Sequence, residues 1–244
     1  MSGILSFFGV ASIEAWNTRY SLANVAYRHS PSFRSNEAVL ATWLRLGEIE
    51  AQQQVYAEYD DGRFRRALRE IRSLTSEPFE EALAGAQECC KQSGVALILV
   101  RPLSKMALSG AARWLSPRKA IIQLSMRHKT DDHLWFTFFH EAAHILLHSK
   151  KDVFVDGQKI RDGAVDIEAE ANTWASNVLV PRHEWAKFVA TRPCSKRSVI
   201  EFADRQGVAP GILVGMLQHE GLLPWSHLNG LKIRLEWSEE ETGG

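Results

Sequence analysis

Apolar residues recur at helical spacing through the first third of the chain. "NEAVLATWLRLGEIEAQQQ" (36–54) carries such a stripe behind a Ser35/Asn36 cap signal, and "DDGRFRRALREIRSL" (60–74) opens with acids. "EPFEEALAGAQECCKQSG" (77–94) stops at Gly94, a residue that accepts the left-handed conformation of a helix end. The pattern then changes. "VALILVR" (95–101) is a short run of branched residues bounded by Gly and Pro, which predicts a strand, and "GAARWLS" and "KAIIQLS" around "PRK" predict a hairpin over 110–125. A helix follows at about 131–148, then a polar loop to about 163, and a second helix from about 165 to Val180, ended by Pro181. The remainder reads as short helices broken at 207–211 and 221–224, with a frayed tail "SEEETGG". Helices, a small sheet, then helices again predict an α+β fold, mostly helical, with a small, mainly antiparallel three-stranded sheet packed on the 131–148 helix. Three regions are expected: an N-terminal helical region (1–75), a central domain (76–225) and a C-terminal segment (226–244).

Composition narrows the function classes. Lys+Arg and Asp+Glu both number 29 in 244 residues, so no global field draws the chain to nucleic acid or to an anionic membrane. Direct nucleic-acid binding and membrane association are therefore not expected. The three cysteines, Cys89, Cys90 and Cys194, form no CxxC spacing and a poor disulfide framework. No apolar run reaches the roughly 18 residues that span a bilayer, and "MSGILSFFGVAS" lacks a basic n-region, so a cytoplasmic location is expected.

The chemistry concentrates in "FFHEAAHILLH" (138–148). His140, Glu141 and His144 match H-E-x-x-H. Histidines four apart on a helix stand about 6 Å apart on one face, within reach of one ion, and the adjacent glutamate can address a water as general base. Between Leu134 and His148 the polar residues Thr137, His140, Glu141, His144 and His148 form a single stripe, and no Lys or Arg interrupts it. A surface helix would carry such cations, so the pattern describes a buried helix with one wet face. His148 reads as a solvent-exposed helix-end residue, with a part in metal or substrate binding as the alternative.

A zinc site needs a third protein ligand. In "DIEAEANTWASNVLVP" (166–181), Glu168 shares a helical face with Ala171, Asn172 and Ala175, small residues that permit close approach. Glu168 is the candidate ligand, with Glu170 and Asp166 in reserve, and Asn172 is placed to hydrogen-bond a ligand histidine.

These stretches resemble the ImmA/IrrE metallopeptidase family, whose pattern is a zinc helix of the HELGH type followed by E-x-x-A-N-x-F-A and L-L-M-P. "GAARWLSPRKAIIQLSMRHKTDDHLWFTFFHEAAH" is similar to that family's hairpin and zinc helix, and the likeness spans roughly residues 80–225. Ala-Ala replaces Leu-Gly in HEAAH, Trp174 stands where Phe is usual, and "LVP" replaces "LMP"; none of these is a proposed ligand. The resemblance implies a gluzincin-like zinc protease with ligands His140, His144 and Glu168 and base Glu141. It also implies a substrate class, helix-turn-helix transcriptional repressors, cut in a stress or mobile-element response. Many relatives carry an Xre-type DNA-binding domain before a segment like "FFGVASIEAW"; this chain is expected to correspond to the region after such a head, or to act with a helix-turn-helix partner. The contrasting expectation is a regulatory, antitoxin-like module that keeps the fold for sensing or partner binding.

Other signals are weaker. Arg63, Arg65, Arg66, Arg69 and Arg72 crowd one segment and read as a solvated helix face. "SVIEFADRQGVAPGILVGMLQ" (198–218) has the length of a helix-turn-helix but few cations in its second half, and reads as core packing. Cys89 and Cys90 read as structural thiols. The strand at about 119–125 is a candidate edge for an extended substrate, and His148 and Arg113 are candidate oxyanion stabilisers.

Overall fold

A computed structural model describes residues 2–17, 37–104, 106–148, 154–155, 167–192 and 195–237. Its elements run α1 (Ser2–Phe8), α2 (Glu37–Gln52), α3 (Asp61–Leu74), α4 (Phe79–Gln92), β1 (Val95–Leu99), β2 (Gly110–Ser116), β3 (Lys119–Leu124), α5 (Asp131–Leu147), β4 (Phe154–Val155), α6 (Ile167–Leu179), α7 (Arg182–Ala190), α8 (Lys196–Gln206) and α9 (Pro210–His219), with a 3-10 turn at Asn229–Leu231. The fold is α+β, as the apolar periodicities predict. The Ser35/Asn36 cap signal, Asp166 and Cys194 lie outside the described residues.

The sheet is mixed, in the order β1-β3-β2-β4. β3 runs parallel to β1, from Val95↔Ala120 to Leu99↔Leu124, and antiparallel to β2. Two of its three pairings are antiparallel, but it holds one strand more than the hydrophobic pattern predicts. The addition, β4, is two residues long and pairs with Ala111 and Ala112 of β2. Nothing in the polar stretch that contains it alternates over enough residues to signal a strand. The pairing also corrects the expected substrate edge: β3 is hydrogen-bonded on both sides, so the 119–125 strand offers no free edge.

Helices cover both faces of this sheet, which is why its strands read as continuous apolar runs rather than alternations. Ala112, Ala120, Ile122 and Leu124 face the main core with Trp135, Phe138, Phe139 and Ala142 of α5. Ala111 faces Leu40, Trp43 and Leu44 of α2, and Ile121 faces Ala51. Gln123 points the same way and donates to the Trp43 carbonyl at 2.6 Å. Gly47 makes that approach possible, since a Cβ there would overlap the Gln123 side-chain amide.

Asp60 caps α3 by accepting from the Arg63 N–H. Phe64, Leu68 and Ile71 of α3 enter the same core as α5 and the sheet. The arginine-rich face of α3 is not wholly solvated. Arg65 pairs with Asp61 at 2.8 Å, whereas Arg72 reaches across the fold, donating through Nε to the Val178 and Leu179 carbonyls and through Nη2 to Gln206. Those acceptors belong to the last turns of α6 and α8, where carbonyls lack helical partners. Gly207 ends α8 at φ 63°, and α9 packs on α5 as a buried helix, in keeping with the core-packing reading of 198–218.

Candidate metal centre

α5 is apolar on most of its surface and buries even its polar stripe: His140, Glu141 and His144 are all inaccessible to solvent or nearly so. Burying three such groups is costly unless each finds a partner. α6 supplies partners to the two histidines. It approaches α5 through the buried small residues Ala171 and Ala175, which lets the side chains between them meet.

His140 Nε2 and His144 Nε2 lie 3.0 Å apart. Glu168 Oε2 stands 3.3 Å from His140 Nε2, and Glu168 Oε1 stands 3.5 Å from His144 Nε2. Among the described residues, His140, His144 and Glu168 form the group whose donor atoms all fall within 4.8 Å of one another. Three donors around an ion at bonds of about 2 Å, in tetrahedral array, sit about 3.3 Å from each other. The observed spacings match that array.

The hydrogen bonding supports the same fit. His140 Nδ1 lies 3.0 Å from Asn172 Oδ1, an acceptor, so Nδ1 carries the proton and Nε2 keeps its lone pair. Burial pushes the His144 imidazolium pKa down to about 2, and the neighbouring rings of His140 and His148 add to the effect. A metal ligand must be neutral imidazole, which is the form this environment imposes. Two imidazole lone pairs and a carboxylate converging on one point repel each other unless a cation lies between them. The donor set therefore fits a divalent metal.

Glu141 projects toward the start of β2. A Cβ on Gly110 would stand 2.6 Å from Thr137 Cγ2, 2.9 Å from Glu141 Oε1 and 3.0 Å from Glu141 Cγ. Only glycine lets the strand close on this carboxylate, a role the sequence pattern did not single out. The available signal was a glycine opening an otherwise regular strand.

The remaining candidates fall elsewhere. Glu170 does not join the trio; its Oε2 lies 3.3 Å from His148 Nε2. The His148 side chain is 6% exposed, which corrects its reading as a solvent-exposed helix-end residue. As the C-cap it has extended backbone, and its ring folds back over the last turn of α5 to meet His144. Arg113 lies on the opposite face of the sheet. It is buried, donates to Gln123 Oε1 at 3.1 Å and to the Leu44 carbonyl, and fills a structural role under α2. Strand alternation explains the outcome: Gly110 and Ala112 face α5, so Arg113 faces away. Cys90 is fully buried, and burial raises the Cys89 thiol to about 11, so neither is poised as a nucleophile.

A buried helix bearing two histidines, joined by a carboxylate from the next helix beside a small mixed sheet, is the architecture of a metallopeptidase. Residues 90–217, more than half the chain, match the peptidase family described as the IrrE N-terminal-like domain. The chain belongs to that family, and its function is of the metallopeptidase type. No curated protein gives a match. No helix among the described residues is long and apolar enough to cross a membrane.

Proposed function

We propose that the protein is a zinc-dependent endopeptidase that cleaves a protein substrate, with a helix-turn-helix transcriptional repressor as the substrate class. The observation that carries the reading is the convergence of His140 Nε2, His144 Nε2 and Glu168 on one point beside the buried Glu141. His140, His144 and Glu168 hold the ion. When bound, zinc supplies Lewis acidity to the scissile carbonyl and to the attacking water. Glu141 accepts a proton from that water and delivers it to the leaving amine nitrogen. Asn172 holds the His140 ring so that its lone pair faces the ion. The repressor substrate rests on the family resemblance, which also links such cleavage to a stress or mobile-element response.

Metal content of the purified protein is the first test. About one zinc per chain in wild type, lost in Glu168→Ala and kept in Glu170→Ala, supports the site. Absence of metal from protein purified without chelator overturns the hydrolase reading and leaves a partner-binding module on a peptidase fold. Cleavage of a candidate repressor by wild type but not by zinc-loaded Glu141→Gln then tests the substrate class.

A further inference from the structure

Glu170 and His148 stand outside the trio of donors, yet one ring joins them to it. His148 Nδ1 lies 2.9 Å from His144 Nδ1, and His148 Nε2 lies 3.3 Å from Glu170 Oε2. Two ring nitrogens at hydrogen-bond distance must share one proton, so one donates and the other accepts. The carboxylate decides which. A carboxylate only accepts, so it favours the His148 tautomer with hydrogen on Nε2 and a lone pair on Nδ1. His144 must then donate from Nδ1, which leaves its Nε2 lone pair directed at His140 Nε2, 3.0 Å away, and Glu168 Oε1, 3.5 Å away. The reverse arrangement would set a His148 lone pair against Glu170. It would also drive a His144 N–H into the space between the donors.

We propose that Glu170 and His148 form a positioning pair that fixes the tautomer and orientation of His144, so that its Nε2 is ready to bind metal. The proposal rests on the metallopeptidase reading. His148 contributes the larger share, because its side chain is 6% exposed and its contact with His144 is sheltered. Glu170 is 48% exposed, and water screens its contact. The relay on His144 parallels the contact of Asn172 with His140, so each histidine of the trio has its outward nitrogen engaged.

Two measurements test it. Nitrogen-15 NMR of the metal-free wild type reads the tautomers directly: hydrogen on Nε2 of His148 and on Nδ1 of His144 is expected, and the opposite assignment overturns the proposal. Zinc dissociation constants by competition with a chromophoric chelator supply the second. Outer partners of metal-bound histidines are worth about 10–100-fold in affinity, so His148→Phe is expected to weaken zinc by that factor. His148→Asn, whose Oδ1 can stand where Nδ1 stood and accept from His144, is expected to recover most of the loss. Glu170→Leu, at an exposed position, is expected to give a smaller, severalfold loss. Zinc binding by His148→Phe at wild-type strength, or by His148→Asn as weakly as by His148→Phe, overturns the proposal. A wild type that binds no zinc overturns the metallopeptidase reading instead, while the NMR result on the metal-free protein still decides the tautomers.

Discussion

Lys232 Nζ lies 2.7 Å from Asp132 Oδ2, an ion pair sealed between the C-terminal segment and the first turn of α5. Lys232 also donates to Gln218 Oε1 at 2.8 Å. Beside it the Ile233 N–H donates to Asp131 Oδ1, the Asp131 N–H donates to the Ile233 carbonyl, and the Leu235 N–H donates to the Lys129 carbonyl. α9 makes room for the two acids through Gly211 and Gly215, where a Cβ would come within 2.8 Å of Asp131 and 2.6 Å of Asp132. The segment after residue 217, beyond the family match, thus anchors the start of the helix that carries the two histidines.

Removing one member of a buried ion pair costs about 3–5 kcal/mol, because the other charge is left stranded. Lys232→Met is therefore expected to destabilise the fold by about 3 kcal/mol in urea titration. The double variant Lys232→Met/Asp132→Asn is expected to regain part of that loss. A double variant no more stable than the single one would show that the pair is not the source.

Asp131 gives a pH signature. Burial raises its carboxyl to about 6, against an ordinary value of 3.8, and the nearby Asp132 charge pushes the same way. The folded state then holds its proton more tightly than the unfolded chain. The stability this group contributes is complete below about pH 4 and is lost as pH rises through about 6. Asp131→Asn keeps the oxygen that accepts from the Ile233 N–H. The stability of Asp131→Asn relative to wild type is expected to increase by about 2–3 kcal/mol between pH 4 and pH 7, measured by denaturant titration across that range. A constant difference across the range would mean that Asp131 titrates normally.

Glu141→Gln separates proton transfer from metal binding. Glu141 is buried beside the donor trio but is not a member of it. The expected result is wild-type zinc content with peptide hydrolysis lowered at least about 100-fold, the scale of a lost general base. Loss of zinc in this variant would move Glu141 into the ligand set.

Gly110→Ala tests the closure of β2 on the face of α5 that carries Thr137 and Glu141. The added methyl meets Thr137 and Glu141 at 2.6–3.0 Å, so one or both must shift. Overpacking of this kind costs about 1–3 kcal/mol, and a base displaced by an ångström loses much of its effect. Hydrolysis is expected to fall further than stability does, with zinc content unchanged. Full activity in Gly110→Ala would show that the contact does not set the position of Glu141.

Much of the fold was legible because its signals are local. The stripe from Thr137 to His148 and the i, i+3, i+4, i+7 set around Glu168 each follow from helical periodicity within one segment. The geometry brings together His140, His144 and Glu168, residues this periodicity singles out. Strand identity was likewise written in the short branched runs at 95–101 and 119–125. Periodicity does not say which strand lies beside which. The order that buries β3, and the side of β2 on which Arg113 falls, depend on how strands pair and which helix covers each face.

What the sequence by itself determined is the set of elements and the chemistry each one carries, since propensity, periodicity and ligand spacing act over a few turns. Only the tertiary structure decided that Lys232 would hold Asp132, that Gly110 would admit Glu141, and that Glu170 would meet His148 rather than the donor trio. Each of these joins groups on different elements. Such contacts exist only once backbone packing has fixed the distance between those elements and the rotamer each side chain can adopt.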